Sequence, residues 1–186
     1  MANKPTPRFD AVPESALTQA HRDAVAEFLK TPRSGLGGPF APMLHSPEFF
    51  NRAQRLGEYL RFAGAIPKKL REFAILVAAR HWAQRYEWYI HAPLAEKEGL
   101  DRTAIEDLAN NRRPAKMSAN ETTIYEFCTQ LHRTQAVDDA TYAAAVEMLG
   151  IRGIVDLCGI CGYYSMLAMV MNVARTQLPE GASVPF

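Results

Sequence analysis

The chain has 186 residues, long enough for one domain with a substantial core, and is 48% hydrophobic and 22% charged, as ordinary globular proteins are. Its 21 basic and 20 acidic residues leave a net charge of +1, with no basic run, so no nucleic acid and no anionic membrane is expected as the main partner. Three cysteines are too few for a disulfide scaffold, and MANKPTPRFDAVPES has no apolar core to serve as a signal peptide; the expected location is cytoplasmic.

Residues 1–14, with several prolines and few apolar side chains, read as an extended arm, residues 15–178 as a single helical domain and 179–186 as a tail. Leu17, Ala20, Ala24 and Phe28 follow helical spacing until Pro32. Arg33 to Ser46, RSGLGGPFAPMLHS, is rich in Gly and Pro and reads as a loop, yet it carries Leu36, Phe40, Met43 and Leu44. An apolar loop of that length folds over something, either the core or a pocket mouth. Ser46-Pro47-Glu48 is a helix start, with a hydroxyl to cap, proline at the first helical position and an acid near the positive dipole end. That helix runs to about Phe62. The next begins at Pro67, breaks near Ala83 to Arg85, and resumes to Gly99, with Pro93 expected to kink it.

Asp101 can cap a short helix through Leu108, and Ser118 with Glu121 forms a capping box for a helix to about Arg133. Asp138 or Asp139 caps another to Leu149, followed by a long helix over Ile151 to Thr176. No stretch alternates with period two, so the fold is all-α. A short echo between Arg71-Glu-Phe-Ala-Ile-Leu and Arg152-Gly-Ile-Val-Asp-Leu hints at two related helical halves. Leu157 to Ala174 carries no charge; with Gly159, Gly162, Ser165 and Asn172 inside it, a buried core or interface helix is expected, and no membrane span.

Within this helical plan, Glu72, Glu87 and His91 are threaded through apolar sequence, where an acid or imidazole is costly unless paired. Glu87 and His91, four residues apart, share a helix face, and Glu72 reaches them only if the two helices fold against each other. A carboxylate beside an imidazole can raise the imidazole's pKa and fix its tautomer, which suits proton delivery to a carbanion or enolate. The same spacing also fits a plain surface ion pair. Tyr86 and, from the apolar loop, His45 are candidate substrate contacts, although an aromatic at this spacing also fits a core position and a loop histidine also fits a cap. His45, His81, Glu72, Glu87 and His91 include metal-ligand types, but there is no HxxxH pair, so no metal is expected. Gly35-Leu-Gly-Gly-Pro has no preceding strand and no following Lys-Ser/Thr, which argues against nucleotide binding.

The pattern Arg71-Glu72-Phe73, Gln84-x-x-Glu87-x-x-x-His91-x-x-x-Ala95-x-x-x-Gly99 resembles the carboxymuconolactone decarboxylase and alkyl hydroperoxidase D superfamily. Gly38-Pro39-Phe40, Leu44-His45-Ser46-Pro47-Glu48 and Gly162-Tyr163-Tyr164 resemble its longer, decarboxylase-type members. The resemblance implies an all-helical, homo-oligomeric protein, as a trimer or hexamer. Redox members carry CxxC where this chain has Gln84 and Glu87, so sulfur chemistry is absent at that position. What remains implies cofactor-free loss of CO2 from a small carboxylated lactone or related ring through an enolate. His91 would orient the substrate or stabilise the enolate, Glu72 would tune His91, and Glu87 would transfer the proton. Two alternatives stand beside it: thiol-dependent peroxidase or disulfide reductase chemistry at Cys158-Gly-Ile-Cys161, and a non-catalytic oligomer that binds small molecules.

Overall fold

The computed structural model describes residues 6–33 and 35–186; the first five residues of the expected arm, and Ser34 of the apolar loop, lie outside it. Its helices are α1 (Gln19–Phe28), α2 (Phe40–Met43), α3 (Pro47–Glu58), α4 (Lys68–His81), α5 (Arg85–Lys97), α6 (Arg102–Ala109), α7 (Ala119–Thr134) and α8 (Asp139–Ala174), with no strand among the described residues. A π-helical turn, Tyr59–Ala63, extends α3.

The helix limits follow local chemistry. Asp101 accepts a bond from Thr103 N at 2.7 Å, and Asp138, rather than Asp139, accepts from Thr141 N at 2.7 Å. Ser118 and Glu121 complete both bonds of their capping box. Ser46 departs from expectation: α3 starts there with proline at its first position, but the serine hydroxyl makes no capping bond. Between α4 and α5, Ala83 takes a left-handed conformation (φ 47°) and the Gln84 side chain accepts from Tyr86 N at 2.7 Å. α5 runs through Pro93 to Lys97. Gly150 (φ 66°) divides α8 at the expected place, because a side chain there would be strained. The echo ends at the helix starts, since the second segment of α8 runs on to Ala174 with no counterpart of the α4–α5 break.

α4 is the central element. It packs against α5, α7 and α8, and Phe73 to Leu76 and Ala78 are fully buried within it. The Gly/Pro loop is not featureless, because α2 forms inside it. Phe40 of α2 packs on Phe28 and Phe50 with ring centroids 4.6 and 5.9 Å away, and each such contact is worth roughly 0.5–1.5 kcal/mol beyond its buried area. The trio fastens the loop to α1 and α3. At the termini, Arg8 N donates to Ala174 O at 2.9 Å, and Phe186 folds back onto Trp88 and the Arg80 guanidinium.

Only one helix, α8, is long and apolar enough to cross a membrane among the described residues, and half of its most apolar window is buried inside the protein. The rest of that helix leaves Ile151, Val155, Met169 and Val173 between 46% and 65% exposed along one side.

Candidate functional site

The turn at Ala83–Gln84 folds α5 back onto α4, which brings Glu72 to His91. The His91 Nδ1–H donates to Glu72 Oε2 at 2.6 Å, and Glu87 Oε2 lies 3.4 Å from Nε2 on the other side of the ring. The imidazole is therefore held between two carboxylates, and all three side chains are buried. Tyr164 meets the ring edge-on at 5.2 Å.

Burial alone would push the His91 pKa down, but Glu72 and Glu87 outweigh it and hold the imidazolium form above its ordinary range. Burial would likewise raise Glu72; the His91 bond, with help from Arg71 and Arg61, brings it below the usual carboxylate value. The short bond is thus charge-assisted, with carboxylate and imidazolium favouring each other.

Glu87 and His91 open onto a cavity of about 630 Å³, walled by apolar residues including Leu36, Phe40, Ile90 and Leu167. Five buried side-chain atoms among the described residues have no hydrogen-bond partner, and four of them belong to residues lining this cavity: Arg33 Nε, Arg61 Nε, Glu87 Oε1 and Tyr163 OH. Unpaired buried polar groups cost free energy, so their convergence makes this cavity the candidate site for a polar ligand. Two guanidinium groups among them favour an anion.

Each is positioned by a different element. The Arg33 guanidinium lies over the rings of both Phe28 and Phe40, at 5.3 and 5.4 Å from their centroids, and its Nη2 donates to Gln54 O at 2.9 Å. Arg61 sits in the π-turn, a distortion that recurs at functional sites. Buried Asp156 braces that turn by accepting from Tyr59 OH at 3.0 Å and Ala65 N at 2.8 Å. Tyr163 comes from α8, and burial pushes its phenol pKa far up, so it stays a neutral donor. A second recess of about 670 Å³ lies across the wall, lined by Lys68, Arg71, Glu72 and Glu98; Arg61 and Leu94 face both hollows.

Glu72, Glu87 and His91 therefore meet as expected, though Glu72 reaches the cavity only through His91. Tyr86 lines the cavity and supports the loop, with Gly38 packed directly on its ring. His45 is corrected: it does not line the cavity, because its Nε2 pairs with Asp10 O at 2.9 Å and its ring packs on Phe9. Gln84 is a strut. Its Oε1 caps α5 while its Nε2 donates to Asn172 of α8 at 2.8 Å. Cys158 is exposed, whereas Cys161 is buried against Cys128, so the CxxC spacing does not identify the pair in contact. No group of three or more His, Cys, Asp or Glu side chains among the described residues is disposed to hold a metal ion.

Arg33 and Arg61 had no motif to announce them, and Tyr163 stood only in the Gly162-Tyr163-Tyr164 phrase, with no role attached to it. The available signals were an arginine inside the apolar run Tyr59-Leu-Arg-Phe-Ala and another opening an apolar loop.

Residues 47–130, which include α3 to most of α7 and all three members of the Glu72–His91–Glu87 cluster, match the carboxymuconolactone decarboxylase family. No curated protein sequence matches the chain significantly. With an all-helical fold around it, that matched segment supports membership of the carboxymuconolactone decarboxylase and alkyl hydroperoxidase D-like superfamily.

Proposed function

We propose that this protein is a cofactor-free carboxy-lyase acting on a small carboxylated lactone or an aromatic-catabolite ring. What carries the proposal is the convergence of four unpartnered atoms, Arg33 Nε, Arg61 Nε, Glu87 Oε1 and Tyr163 OH, in residues lining one cavity beside a carboxylate-clamped imidazole. Substrate binds with a carboxylate or ring oxygen toward the guanidinium groups. The C–C bond to the leaving carboxylate breaks, CO2 departs, and the electron pair delocalises onto a carbonyl as an enolate. Arg61 and the Tyr163 hydroxyl stabilise that oxygen by charge and hydrogen bonding. His91, kept protonated by Glu72, passes a proton to Glu87, whose free oxygen delivers it to carbon. One proton is consumed for each CO2 released.

The test is CO2 release and proton uptake across a panel of carboxylated lactones, with wild-type protein and His91→Asn. Release matched by proton uptake, and lost in the variant, is the expected result. Tight binding without CO2 release would replace the lyase with a small-molecule-binding protein. We further propose a cytoplasmic homo-oligomer in which the exposed apolar side of α8 meets a second copy, supported by the absence of charge from Leu157 to Ala174.

A further inference from the structure

Outside the cavity lining, three helices bring a second set of reactive groups together. Cys128 of α7 and Cys161 of α8 are both buried, with Sγ atoms 3.5 Å apart. His132, one helical turn beyond Cys128, has a buried Nε2 with no hydrogen-bond partner. His81, at the end of α4, stacks on the His132 ring at 4.9 Å. Sulfurs buried only as packing have no need of a neighbouring base left without a partner.

We propose that Cys128 and Cys161 form an oxidisable thiol pair, served by His132, that closes to a disulfide joining α7 to α8. A disulfide is ~2.0 Å long, so the sulfurs must approach by about 1.5 Å, within reach of side-chain rotation. The Cys128 thiol and, less strongly, His132 outweigh burial to favour the Cys161 thiolate, whose pKa falls to about 6, while Cys128 is pushed up; Cys161 is the attacking sulfur. Its thiolate attacks one oxygen of a hydroperoxide. An S–O bond forms, the O–O bond breaks, and the leaving oxygen takes the proton held by His132, giving a sulfenic acid and an alcohol or water. The Cys128 sulfur then attacks the sulfenic sulfur; its proton leaves with the hydroxide as water, and the S–S bond forms. Two thiols are oxidised by two electrons, and one hydroperoxide is reduced. Hydrogen peroxide, the smallest of its class, is the oxidant suited to so closed a site.

The experiment treats wild-type protein and Cys158→Ser with hydrogen peroxide, unfolds them in an alkylating agent, and identifies linked peptides by mass spectrometry. The expected product is a Cys128–Cys161 cross-link in both proteins, reversed by dithiothreitol and accompanied by a higher melting temperature. In His132→Gln, checked for folding by circular dichroism, oxidation slows about tenfold because the Cys161 thiolate loses the imidazole that hydrogen-bonds to it. In Cys128→Ser, Cys161 stops at the sulfenic acid and is captured by dimedone. Buried thiols that remain fully alkylatable, oxidation confined to Cys158, or an unchanged rate in His132→Gln would overturn the proposal. None of these readouts depends on lyase activity.

Discussion

Replacing Glu72 with Gln isolates the charge that holds His91 in its imidazolium form. The amide can still accept from Nδ1, so the 2.6 Å contact survives as a neutral hydrogen bond while the ion pair is lost. A hydrogen bond to a charged group contributes ~1.5–3 kcal/mol against ~0.5–1.5 for a neutral one, so the difference is about 1.5 kcal/mol. In a chain of this size that lowers the melting temperature by about 3–6 °C. The pH dependence carries the sharper test. His91 has its folded pKa raised above 6.5, so its contribution is complete below that pH and is lost as pH rises through the folded value. Glu72 has its folded pKa lowered below 4.5, so its contribution is complete above that pH and is lost as pH falls through the folded value. The stability gap between wild type and Glu72→Gln should therefore peak between about pH 4.5 and 6.5 and narrow in either direction. Urea melts across pH 4 to 9, with the His91 imidazole followed by NMR, measure both. A gap that stays flat to pH 9, or an imidazole that titrates alike in both proteins, would refute the charge-assisted clamp.

Glu87→Gln should cut turnover by about 10²–10⁴-fold while lowering the melting temperature less than Glu72→Gln does, because its contact with His91 is the longer one, at 3.4 Å, and its Oε1 has no partner to lose. Gly38→Ala should cost about 2 kcal/mol and raise KM more than it lowers kcat: Gly38 has φ 63°, and a new methyl group would run into the Tyr86 ring beneath the loop. Val155→Lys combined with Met169→Lys should lower the mass measured by light scattering while circular dichroism keeps its helical signal; an unchanged mass would move the subunit interface off α8.

Much of this architecture was legible because it is local. Capping groups at Asp101, Ser118–Glu121 and Asp138, and the break between Leu149 and Ile151, act within a few residues and can be read where they stand. The Glu87–His91 pairing was legible for the same reason, since four residues make one helical turn. Glu72 joined them conditionally, through a turn whose position was visible but whose closure was not. Arg33, Arg61 and Tyr163 come from a loop, a π-turn and a distant helix, and no periodicity relates them. The formation of α2 within a Gly/Pro-rich segment depended on a three-phenylalanine contact spanning α1 and α3. His45 was misplaced because its partner, a backbone carbonyl of the arm, leaves no mark in side-chain pattern. Cysteine spacing favoured positions 158 and 161, whereas the sulfurs that touch belong to different helices.

The wall separating the two hollows has a consequence for any turnover that uses up hydrogen ions. Glu87 faces one compartment and Glu72 the other, with the imidazole bridging them. In the proposed reaction, a ligand filling the first compartment would leave the rear carboxylate beside the second. The acid would then be recharged by a back door, from the side that the ligand does not occupy.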